Sequence, residues 1–239
     1  MSEGDSRTDE LGRALAGSQM QTQIYVARRP KDLSSSVQAA LRDTRVIRDT
    51  VRWVAPLENQ RFLEPSDADF LHALGLAGFS AELTSFWPDR GPVWDALAVL
   101  GPDARRDGVL LVEAKSYPAE VNGPGCQAEN SRSLAMIHSS LNRVKVWYGV
   151  NQDADWTGRL YQYANRLAHV FFLREVCHVQ TWLVNLLFTD DQTTHPTKIE
   201  EWRTALPQIK AELGFKSSSI PWVLDVFLPA RSREELLSV

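Results

Sequence analysis

The chain has 239 residues, 44% of them hydrophobic and 23% charged, with a formal net charge of −4. That length suffices for one large domain with a real core. The negative balance excludes a protein that coats nucleic acid through an overall basic field, and leaves room for one that grips a few phosphates through a local patch.

Residues 1–35 read as an N-terminal arm, partly flexible: they are rich in Ser, Gly, Asp and Arg, with one apolar patch at residues 24–27. The first twenty residues lack the apolar segment of a signal peptide, which points to a cytoplasmic protein. The remainder, residues 36–239, reads as a single domain. The serine run 34–36 supplies an N-cap for a helix over residues 37–54, with Ala40, Ile47, Val51 and Val54 on one face and Arg42, Arg45, Arg48 and Arg52 on the other. A second helix is expected over residues 67–76. Residues 79–86 fit either a strand or a short helix. Residues 93–100 and 108–115 are apolar runs joined by a polar turn, the pattern of a β-hairpin. A Gly/Pro loop over residues 118–127 carries Cys126. Neither Cys126 nor Cys177 belongs to a CxxC or Cys/His cluster, so no structural zinc and no disulfide framework is indicated. Helices over residues 131–147, 156–176 and 197–213 and strands over residues 179–189 and 220–228 complete an α/β pattern with a mixed sheet. The longest apolar stretches, residues 167–173 and 182–188, are too short to span a bilayer, so no membrane partner is expected.

The chemistry concentrates in Asp95 and the triplet Glu113-Ala114-Lys115. Strand side chains alternate, so Glu113 and Lys115 share a face and Ala114 takes the other. The hairpin partner strand brings Asp95 beside Glu113. Two carboxylates suit Mg²⁺, a hard cation held by one or two carboxylates and several waters. Asp95 and Glu113 are the candidate metal ligands, with the carbonyl of Ala114 as a third, and Mn²⁺ as a substitute ion. Lys115 is placed to orient a water or to stabilise charge developing on a phosphate. The bland alternative is a buried structural ion pair, since charges ending an apolar strand are costly unless paired or functional.

The segments of residues 91–98 and 110–116, with Asp95 eighteen residues before Glu113, resemble the PD-(D/E)xK nuclease superfamily over roughly residues 79–190. The resemblance implies a restriction-endonuclease-like core, a mixed central β-sheet flanked by α-helices. It also implies divalent-metal-dependent hydrolysis of phosphodiester bonds in nucleic acid, usually DNA. The literal Pro88-Asp89 pair lies in a Pro/Gly turn, and Asp95, which opens the apolar strand, is preferred as the ligand. Family members often carry an upstream acid that reaches the metal, and Glu82 fits by position; its alternative is a surface glutamate. On the helix of residues 156–176, Gln162 and Tyr161 are candidates to orient Lys115 or hold a phosphate. Arg166 and the stripe Arg42, Arg45, Arg48 and Arg52 are candidate phosphate contacts, against an ordinary charged helix face. His169 reads as a hydrogen-bonded helix histidine. Partners would be nucleic acid and either a second copy of the chain or another protein. The competing function is a catalytically inactive binding or interaction module that keeps the fold, and an enzyme of another class finds no specific candidate site.

Overall fold

The computed structural model describes residues 7–42, 50–102 and 107–238. Within them five strands form one open sheet whose spatial order follows the chain: β1 (Val51–Ala55), β2 (Ala96–Leu100), β3 (Gly108–Lys115), β4 (Thr181–Thr189) and β5 (Val223–Pro229). β1, β2 and β3 are antiparallel neighbours, and β3, β4 and β5 run parallel, so the sheet is mixed. The middle strands read as near-continuous apolar runs because both of their faces are covered.

The sheet separates two apolar layers. On one side Ala96, Ala98, Leu110, Val112, Ala114, Val184 and Leu186 pack under α1 (Gly17–Arg28) and α2 (Pro30–Arg42), which contribute Tyr25, Leu33, Val37 and Leu41. On the other, Leu97, Val99, Val109, Leu111 and Leu183 meet a larger helical layer. That layer holds α3 (Asp67–Ala73), α4 (Ser80–Phe86), α5 (Ser131–Tyr148), α6 (Tyr161–Phe171) and α7 (Ile199–Glu212). A last short helix, α8 (Arg233–Leu237), tucks Leu236 against Met20 and Ile24 of α1. None of the helices is long and apolar enough to cross a membrane among the described residues.

α6 is the central helix of the larger layer. All its residues from Tyr163 to Phe171 are buried, and the helix continues as a wider π-turn through Phe172–Val176. Such turns are often found near functional sites because they re-aim the side chains that follow.

Three expectations need correction. The helix expected over residues 37–54 ends at Arg42, and residues 51–55 are extended as β1. The Val51/Val54 spacing imitates a helical face, but pairing with β2 dominates. A bulge between Trp53 and Ala55 lets Val51 and Trp53 pack with the α1/α2 layer while Ala55 joins the opposite one. Arg42 and Arg52 therefore share no helical stripe: Arg52 is exposed on the β1 edge strand, while Arg45 and Arg48 lie outside the described residues, as does the side chain of Arg42. The expected arm is packed structure over residues 17–28, with Met20 through Val26 buried, and the boundary expected at residue 35 falls inside α2. Tyr25 donates to the Pro229 carbonyl at 2.7 Å and Gln21 accepts from the Arg231 N–H at 2.8 Å, so α1 holds the end of β5. The ambiguous segment of residues 79–86 is helical over α4.

Gly108 opens β3 because nothing larger fits. A Cβ there would stand 2.7 Å from the Trp182 ring and 2.9 Å from the Gln180 carbonyl. Gly108→Ala is expected to cost about 1–3 kcal/mol through overpacking, read as a lower urea midpoint at unchanged slope.

Candidate active site

The hairpin register builds the site. Ala96 pairs with Val112, which sets Asp95, one residue before β2, alongside Glu113. Asp95 Oδ2 accepts the Ala114 N–H at 2.7 Å. In an extended strand the N–H and C=O of one residue point to the same side. The Ala114 carbonyl thus falls on the β2 side of β3, beyond the ladder that starts at Ala96.

Glu113 and Lys115 point into the layer that contains α6, as alternation requires. The Lys115 ammonium donates to Glu113 Oε1. Arg166 reaches down from α6 and donates from Nε to Glu113 Oε2 at 2.6 Å, from Nη2 to the Val93 carbonyl at 2.8 Å and from Nη1 to Asn165 Oδ1 at 2.8 Å. Its guanidinium lies 5.0 Å from the centre of the Trp94 ring. Only 9% of the Glu113 side chain and 13% of the Lys115 side chain are exposed.

Burial works against every charge here, and the neighbours decide each outcome. For Asp95, burial and then the Glu113 carboxylate push the pKa up to about 8; Lys115 opposes this and Glu64 adds to it. Burial also disfavours ionised Glu113, but Arg166 and Lys115 outweigh it and hold its carboxyl below the ordinary value. Lys115 is likewise held above the usual lysine value, its burial outweighed by Glu113 and Asp95. Burial and the Glu113 charge thus favour a proton on Asp95, while Lys115 and Arg166 favour an ionised Glu113 between them.

Next to Glu113 a second polar row crosses the sheet. Asn185 on β4 pairs in register with Glu113, and Asp225 on β5 with Asn185. Asn185 Nδ2 donates to the Tyr163 hydroxyl and to Asp225 Oδ1, each at 2.8 Å. Lys210 of α7, itself buried, donates to Asp225 Oδ2 and to the Ser218 carbonyl. The sequence signal was present but weak: Asn185 is the one polar residue between Trp182 and Phe188.

Gln162, Glu113, Lys115, Arg166 and Asn185 line a cavity of about 20 Å³, room for one water. Above it opens a cleft of about 320 Å³ whose walls include residues 91–93, 123–125, Gln162 and Arg166. Asp95 lines neither. Gln162 is thus brought beside Lys115 in the cavity lining. Glu82 is not: it is exposed on α4 and lines a separate depression with Arg143 and Val176. The further acid whose charge reaches Asp95 is Glu64, which sequence reasoning missed because it sits in a loop well before the hairpin. Arg166, expected at the surface as a phosphate contact, is 4% exposed and committed to Glu113. Asp89 is exposed in the turn before β2, apart from the carboxylate pair. His169 is buried with its Nδ1 2.8 Å from the Asn165 carbonyl, and burial lowers its pKa to about 3, so it stays neutral and is a poor base.

As a cation site the donor set is partial. Among the described residues no group of three His, Cys, Asp or Glu side chains stands close enough to hold a metal. Asp95, Glu113 and the Ala114 carbonyl are oxygen donors of the kind that could hold Mg²⁺ or Mn²⁺ with waters completing the shell, while Lys115 and Arg166 engage both Glu113 oxygens. The raised pKa of Asp95 fits as well, since a divalent cation relieves the carboxylate repulsion that raises it. Comparison of the chain with protein-family models, curated proteins and solved structures finds no match.

Proposed function

We propose that this chain is a divalent-metal-dependent nuclease of restriction-endonuclease-like architecture, hydrolysing phosphodiester bonds of nucleic acid, DNA first among them. The observation that carries the reading is the pairing of Asp95 and Glu113 across the β2/β3 hairpin, with Lys115 on the Glu113 face lining a small cavity that shares Gln162 and Arg166 with the neighbouring cleft. Asp95, Glu113 and the Ala114 carbonyl would hold Mg²⁺ or Mn²⁺. A bound ion of this kind polarises a phosphate and lowers the pKa of a bound water. Lys115, held cationic, orients the attacking water and stabilises the charge that builds on the phosphate. Gln162 bounds both the cavity and the cleft and orients the entering phosphate. Arg166 keeps Glu113 ionised and aimed.

A second reading has a specific observation in its favour. Both oxygens of Glu113 are engaged by Lys115 and Arg166, as in a closed ion-pair cluster that holds a fold together without chemistry. On that reading the chain is a catalytically inactive module.

Cleavage of supercoiled plasmid, single-stranded DNA and RNA in Mg²⁺ or Mn²⁺ separates the two. Under the nuclease reading the wild type cuts at least one of them, and Lys115→Ala and Asp95→Asn each lose about 10²–10³-fold or more. An inert wild type, or Lys115→Ala cutting as fast as wild type, sinks the nuclease reading.

A further inference from the structure

Depth and shape restrict what can reach Lys115. Glu113 and Lys115 are about nine-tenths buried and line a small cavity that adjoins the cleft through Gln162 and Arg166, rather than the walls of the cleft itself. A scissile phosphate on an intact duplex sits on a convex surface beside stacked base pairs, and it cannot descend into a recess without the duplex colliding with the walls. A single strand bends and presents one phosphate at a time.

The cleft also continues beyond the site. Through Gly125 and Tyr161, which line both, it runs into a groove of about 810 Å³ along the start of α5. Trp87, Asp89, Arg90, Glu129, Asn130 and Arg132 are among the walls of that groove. Arg90 and Arg132 are exposed. Arg132 stands in the first turn of an 18-residue helix capped by the Asn130 side chain, so its charge adds to the positive helix end. Tyr161, half-buried, stacks against Trp87 at 6.5 Å where the two clefts meet and offers an aromatic surface to a base. Asp89 and Glu129, also exposed, offset the two arginines, so the groove is close to charge-balanced and attraction falls to local contacts of Arg90 and Arg132 rather than to a broad field.

We propose that this groove is a track for a single-stranded stretch of nucleic acid, with Arg90 and Arg132 on two successive backbone phosphates and Tyr161 against a base. The inference rests on the nuclease reading and narrows its substrate to single strands and frayed ends. Intact duplex is excluded from the recess.

The test is fluorescence anisotropy of a labelled 12-nucleotide DNA and of a blunt hairpin duplex of the same sequence, with wild type and with Arg90→Gln/Arg132→Gln in EDTA. Cleavage of both substrates by wild type in Mn²⁺ is measured alongside. The single strand is expected to bind and be cut at least about tenfold better than the duplex. Its affinity should fall with salt at a log–log slope of about −1.4, two phosphates at −0.7 each. The double variant should lose about tenfold in affinity. Equal or better handling of the duplex overturns the single-strand track and leaves the nuclease reading standing. Failure to bind the single strand, or binding indifferent to both arginines, also overturns the track. Arginine-dependent binding of the single strand with no cleavage of either substrate supports the track and removes the nuclease reading.

Discussion

Arg166→Met is expected to destabilise the protein by about 3–5 kcal/mol, the cost of leaving a buried charge without its partner. The guanidinium is 5% exposed in its side chain and holds Glu113 at 2.6 Å, the Val93 carbonyl and Asn165 together. Methionine fills much of the same volume, so the loss is electrostatic rather than a cavity. Lys115 remains on Glu113, which sets the effect toward the lower end. The control is Glu113→Gln/Arg166→Met, which removes the stranded charge and should recover part of the loss. Urea denaturation of wild type, both single variants and the double closes the cycle. Additive losses would mean that Arg166 and Glu113 do not interact as the geometry states.

The second large effect concerns Asp95 and pH. Its carboxyl titrates near the ordinary value of 3.8 when unfolded and near 8 when folded, because burial and Glu113 oppose its charge. Between those values the unfolded chain has released the proton and the folded chain still binds it. The unfolded state then binds fewer protons, so stability falls as pH rises from about 4 to about 8 and levels off above. Asp95→Asn removes this titration while its amide oxygen can still accept the Ala114 N–H. The metal-free variant should therefore match wild type near pH 4 and exceed it by about 1–3 kcal/mol at pH 8.5, a figure reduced from the full shift because relaxation and water entry relieve part of the burial cost. The check is thermal and urea unfolding in EDTA at pH 5, 7 and 8.5. A stability gap that does not widen with pH would contradict the burial argument. Saturating Mn²⁺ should reverse the order by stabilising wild type alone.

The sheet and the hairpin were legible because their signals are local. Apolar runs over residues 93–100 and 108–115 separated by a polar turn leave few alternatives, and the alternation within Glu113-Ala114-Lys115 fixes which side chains meet. What was not legible depended on tertiary pairing. Residues 51–55 carry helix-like apolar spacing, and β2 decides that they form a strand. The apolar patch at residues 24–27 is a fragment of a buried helix whose other buried residues, Gln21, Thr22 and Gln23, are polar and look like arm. Arg166 was visible as a charge on a helix, but not that α6 would be buried almost throughout and turn it inward. Glu64 and the Asn185–Asp225 row come from distant segments joined only by register.

Whether Asp95 and Glu113 hold a divalent cation is read most directly by calorimetric titration of Mn²⁺ into wild type and Asp95→Asn at pH 8.5 and 6.5. The expected result is one ion per chain for wild type at pH 8.5. At pH 6.5 binding should weaken by about tenfold or more and release a proton, because Asp95 must ionise first. Asp95→Asn should give no comparable site. Absence of binding to the wild type, or equal binding to the variant, would contradict the metal site and leave Glu113 as the centre of a closed ion-pair cluster with Lys115 and Arg166.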